Sequence, residues 1–168
     1  EEASTTLWGD DLEELRKFIP DIPNIDKWFA VQVQHELAAI KYRINSMASS
    51  RLQNYCLAVL SSIITSVSFQ EEETKYRSLP RDVTFGNALK TYASKLKSVL
   101  KMSKSLPNDL TSFVNMTSKD MRLDEEFDRC FDICITSPPY PNVTDYHLYH
   151  RHRNFWLGED PVVFGKAE

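Results

Sequence analysis

Only four glycines occur in this 168-residue chain, at Gly9, Gly86, Gly158 and Gly165. No two lie close enough to make GxG, GxxxxGK or any other loop that cradles phosphate. Whatever the chain binds is therefore not held by a glycine-rich nucleotide loop within these residues. An apolar content of 42% still supplies a core for one domain of ordinary size. Collagen, long low-complexity disorder and a disulfide scaffold are excluded.

No apolar run approaches the roughly 18 residues of a membrane span, and Glu1-Glu2 opens the chain without the basic and apolar parts of a signal peptide. A soluble, cytoplasmic protein with no membrane partner is expected. The cysteines Cys56, Cys130 and Cys134 make an odd count without a CxxC pair, which suits a reducing compartment. Zinc through Cys130 and Cys134 would need a second ligand pair at finger spacing, and none follows, so no metal site is expected.

The net charge is only −4, but the charges are segregated. Residues 1–30 hold eight acids and three bases, whereas Lys75 to Pro107 holds eight bases and a single acid, Asp82. Hydrophobic periodicity places helices in the same region. Asp10-Asp11 can cap a short helix near 10–19 that Pro20 stops, and DIPNIDKWF then reads as a Pro-broken connection. Phe29, Val33, Leu37, Ile40, Ile44 and Met47 share one face of a helix near 26–47. Ser49-Ser50 can cap a third helix near 50–68, whose wider apolar stripe runs from Leu52 to Val67. Residues 69–81 have no period and read as a loop. A helix near 83–102 puts Phe85, Leu89, Tyr92, Leu96, Val99 and Leu100 on one face and Lys90, Lys97, Lys101 and Lys104 on another. That lysine face is either ordinary solvated surface or a phosphate-facing stripe.

After Pro107 the texture changes. LTSFVNM and FDICIT are short runs rich in β-branched and aromatic residues, expected as buried strands near 111–116 and 131–136. The segment between them is long enough for a tight crossover, so the pair can be parallel. A last helix, capped by Thr144 or Asp145, would end at Gly158. The fold class expected is a helix-rich α/β protein: a helical region over 1–107, then a partial Rossmann-like core over 108–168 with about two parallel strands.

Chemistry concentrates in Thr136-Ser137-Pro138-Pro139-Tyr140, a small polar residue, two prolines and an aromatic at the expected carboxyl end of a strand, where sites on α/β sheets lie. A turn that merely stops the strand is the plainer alternative. TSPPY resembles the catalytic motif of the S-adenosylmethionine-dependent DNA amino-methyltransferases, in which Asp, Asn or Ser precedes Pro-Pro-Tyr or Pro-Pro-Phe. VNMTSKDMRL is similar to the preceding strand of that family, and YPNVTDYHLYHRHRNFWLG to the sequence that often follows the motif. NIDKWF and the helix over 57–68 match upstream helical segments of a subset more loosely.

The resemblance implies a catalytic set of Ser137, Pro138, Pro139 and Tyr140. It puts Asp120 and Thr136 beside the S-adenosyl-L-methionine cofactor, and it makes double-stranded DNA the partner. Ser before the prolines goes more often with cytosine than with adenine, and an RNA base amine or a non-catalytic helical module are further alternatives. A restriction-modification setting is expected. Lys90, Lys97 and Lys101, with Arg151 and Arg153 in the His-rich stretch after the motif, are candidate nucleic-acid contacts. His147, His150 and His152 read better as part of such a basic patch, or as plain helix surface, than as metal ligands. Two strands and no cofactor glycine loop imply a segment that works with the remainder of a methyltransferase, on the same longer chain or a partner chain. Alone, it is not expected to be active.

Overall fold

The computed structural model describes residues 12–72, 75–106, 132–133, 135–137 and 149–158. Helix α1 (Leu12–Arg16) carries Glu13 and Glu14 in its first turn and Arg16 in its last, signs that suit the helix dipole. It ends at Arg16, earlier than the end near 19 that the sequence suggested. Phe18 and Ile19 donate to the carbonyls of Leu15 and Arg16 at 3.0 and 3.1 Å, the tightened turn that precedes Pro20.

Helix α2 (Val31–Asn45) begins later than its apolar period implies. Ile25–Lys27 form a separate 3-10 turn entered through Asn24 in the left-handed region, φ 54°. Trp28 and Phe29 are buried, and the Trp28 carbonyl accepts from the Phe69 amide at 2.7 Å, so the chain here is committed to a neighbour rather than to its own helix. Gln34 closes the junction from within α2, its side-chain amide donating to Phe29 O and Asp26 Oδ1.

Helix α3 (Ser50–Val67) is capped by Ser49, whose hydroxyl accepts from the Leu52 amide. At its other end the Arg81 guanidinium donates to the carbonyls of Ser66 and Ser68, groups a helix C-terminus leaves without partners. Helix α4 (Asn87–Ser103) follows Gly86, at φ 84°, and α5 (Arg151–Leu157) ends at Gly158, at φ 92°. Both glycines occupy conformations that other residues rarely adopt.

Val33, Leu37, Ile40 and Ile44 of α2 meet Cys56, Leu60, Ile63, Ile64 and Val67 of α3 in one core, closed by Ala88 of α4 and Trp156 of α5. The apolar face of α4 is covered only in part. Leu89 and Tyr92 pack against the core, whereas Phe85 and Leu100, expected on the same face, are exposed, as is Met47 just beyond α2. Among the described residues no helix is long and apolar enough to cross a membrane.

Two expectations about strands need correction. The segment read as a loop holds an antiparallel hairpin, β1 (Gln70–Glu72) with β2 (Lys75–Ser78), pairing Gln70 with Ser78 and Glu72 with Lys75 across a bulge. It is pinned from outside: Leu79 N donates to Phe69 O, and the Ser78 hydroxyl donates to Lys27 O. The run expected as a buried strand near 131–136 forms none at its described positions, where Ile133 is 79% and Ile135 94% exposed. A buried strand needs neighbours on its edges and faces, and the described residues place none there. The sheet among the described residues is this antiparallel hairpin. The expected strand near 111–116 lies outside the described residues.

Candidate catalytic turn and lysine face

Thr136 and Ser137 follow the exposed isoleucines, and both are exposed themselves. The Ser137 hydroxyl is thus open to an incoming group. Pro138, Pro139 and Tyr140, and the cofactor candidate Asp120, lie outside the described residues, as do Cys130 and Cys134. Thr136, the other cofactor candidate, is exposed. Among the described residues, no cluster of three or more His, Cys, Asp or Glu is placed to hold a metal.

Lys90, Lys97 and Lys101 are all exposed on α4, and steps of seven and four keep them on one face. Helix α4 is set by a residue that pattern reading passed over. Glu36, fully buried on α2, accepts from the amides of Gly86 (2.6 Å), Ala88 (2.7 Å) and Leu89 (3.2 Å). Its carboxylate thereby satisfies amides that the start of a helix leaves open, and its negative charge meets the positive end of the dipole. The signal was present in the sequence: an acid stands inside the apolar face, three residues after Val33 and four before Ile40. Tyr92 ties the other side of α4 to α3 by donating to the Cys56 carbonyl at 3.3 Å.

The expected basic patch after the motif separates into unlike parts. His152 is buried, and its ring lies 4.7 Å from that of Trp28 and 5.6 Å from that of Phe29. Its Nδ1 is 3.0 Å from Gln70 Oε1, and Gln70 Nε2 donates to Glu72 O, which makes the His152 nitrogen the donor. Burial, with a contribution from the neighbouring Arg151, lowers its pKa to about 4, so the ring is neutral at pH 7. It is a core residue rather than a surface cation. Arg151 and Arg153 are half-buried, the first with its guanidinium 5.7 Å from the Phe155 ring and the second donating to the exposed His150. His147 lies outside the described residues.

No family model matches the chain, and no solved structure matches it. The chain spans about a third of the length of the curated relative that it matches. That relative is the Type II methyltransferase M.MvaI of Kocuria varians, to which this chain is similar with 30% identity over 154 residues, covering 83% of the chain and 34% of the relative.

Proposed function

We propose that this chain is the motif-bearing segment of an S-adenosylmethionine-dependent DNA methyltransferase of a restriction-modification system, acting on the exocyclic amine of cytosine. The observation that carries the reading is TSPPY, with Ser137 open to solvent, in a chain similar over most of its length to a methyltransferase.

An exocyclic amine is a poor nucleophile because its lone pair is delocalised into the ring. If Ser137 Oγ accepts one amine proton in a hydrogen bond and the Pro138 carbonyl accepts the other, the nitrogen is drawn toward tetrahedral geometry and its lone pair is localised. Proline suits the second role because its fixed φ holds the carbonyl in place. Tyr140 stacks on the base once it leaves the duplex, returning part of an unstacking cost of a few kcal/mol. S-adenosylmethionine supplies a methyl group already activated by its positive sulfur. Positioning therefore matters more than a strong base. Lys90, Lys97 and Lys101 face the DNA, and a glycine-bearing cofactor loop that these residues do not contain completes the enzyme.

The test is single-turnover transfer of labelled methyl to duplex DNA by the full-length enzyme, with nucleoside analysis of the product. Ser137→Ala should leave cofactor binding nearly intact and slow transfer roughly a hundredfold, about 3 kcal/mol in the barrier. Tyr140→Ala should weaken capture of the flipped base by about 1–3 kcal/mol. Wild-type rates in both variants would reduce TSPPY to a structural turn. A methylated adenine would overturn cytosine and keep the mechanism.

A further inference from the structure

Helices α3 and α4 lie side by side and leave between them an open groove of about 640 Å3, lined chiefly by Ser62 and Ser66 of α3 and by Lys90, Ser94, Lys95 and Ser98 of α4. We infer that this groove seats one phosphodiester strand of duplex DNA, with Lys90 and Lys95 as its cations and Ser94 and Ser98 as hydroxyl donors. The proposal rests on the methyltransferase reading only for the choice of DNA as the polyanion.

Three observations carry it. The first is the sign of the surface. In a chain of net charge −4, α3 holds Arg51 and no acid, and α4 holds Lys90, Lys95, Lys97 and Lys101 and no acid, with Lys104 just beyond. Nothing on either wall of the groove repels an anion.

The second is hydrogen-bonding capacity. Ser62 and Ser66 donate their hydroxyl protons to Val59 O and Ile63 O within α3, so what they contribute is a small, polar wall. Ser94 and Ser98 make no hydrogen bond with the described residues, which leaves their protons for a ligand's oxygens. Lys90 and Lys95 likewise have no carboxylate partner among the described residues.

The third is direction. At about 100° per residue, Lys90, Lys97 and Lys101 centre on one line, whereas Ser94, Ser98 and Lys95 lie roughly 40–140° round the helix toward α3. Lys90 is the member of the stripe visible in the sequence that lines the groove, Lys97 and Lys101 form its outer rim, and Lys95, which the stripe omits, lines the side toward α3. Lys97 and Lys101 supply attraction at a distance, screened by salt, rather than a seated contact.

The experiment measures binding of a short labelled DNA duplex to the full-length protein across a salt series. It compares Lys90→Ala/Lys95→Ala with Lys97→Ala/Lys101→Ala, two variants that remove the same charge. The groove pair should flatten the log-log salt slope by about 1.8, so that raising salt from about 50 to 200 mM weakens the unmodified protein roughly twelvefold more than this variant. The rim pair should change the slope by less than about half a unit. An unchanged slope in the groove pair, or equal changes in both pairs, overturns the proposal, because general charge would then account for binding. Labelled-methyl transfer by the unmodified protein separates the two readings. Groove-dependent binding without transfer keeps the groove and removes the methyltransferase. Transfer with a groove pair of unaltered slope does the reverse.

Discussion

The helical layer and the motif segment treat their apolar residues in opposite ways. Leu37 and Leu60, at the centre of α2 and α3, are wholly buried, whereas Ile133 and Ile135, just before Thr136-Ser137, stand open to water. Burial of apolar surface is the dominant favourable contribution to folding, so stability resides in the helices. Ile133 and Ile135, ahead of the candidate residues Thr136 and Ser137, are not held by that core. The buried helices and the exposed isoleucines are each open to a separate perturbation.

The largest effect should come from the residue that anchors α5 to the helical layer. Trp156 is fully buried, with its ring 5.7 Å from that of Phe29. Trp156→Ala should cost about 3–5 kcal/mol in denaturant unfolding. A loss below about 1 kcal/mol would mean that α5 is not part of the core, and the contrast between the regions would fail.

Acid should act next, through His152. Its pKa of about 4 in the fold lies below the ordinary value of 6.5, so the unfolded chain binds the proton more readily. Stability is therefore full above pH 6.5 and declines as pH falls toward 4, by about 3 kcal/mol in all. Thermal unfolding between pH 7 and 4 checks this, with His152→Phe expected to show a shallower decline. An identical decline in that variant would assign the acid sensitivity to other groups.

The smallest effect is expected in the motif segment. Ile135→Ser, at a position 94% exposed, should shift unfolding by less than about 0.5 kcal/mol. A loss of 2 kcal/mol or more would show that this isoleucine is covered in solution and would erase the distinction between the regions.

The helices were legible because a period needs length to show itself. Val33, Leu37, Ile40 and Ile44, and then Cys56 to Val67, each repeat over about three turns. The hairpin was not legible, since strands of three and four residues show no period and this one is fixed by carbonyls of Lys27 and Phe69 outside it. Residue type also misled at Ile133 and Ile135, because an apolar side chain specifies a preference for cover without creating any. The resemblance of TSPPY rests on its order of residue types alone. His152 could not, because its partners Trp28, Phe29 and Gln70 are distant in sequence and nothing local distinguishes a ring held among them from a surface cation. Glu36 lay between these cases: its place within an apolar face was visible, but its partners at the start of α4 were not.

The grip of Glu36 on α4 has a kinetic side. Its bond to Gly86 spans 50 positions of the sequence, so the start of α4 gains its acceptor only after α2 and the intervening chain have come together. Closing that loop costs entropy before the bonds form. The helix carrying the lysines should thus consolidate late. In hydrogen exchange, the amides of Gly86, Ala88 and Leu89 should open at the rate at which α2 and α4 part, slower than the fraying usual for a first turn.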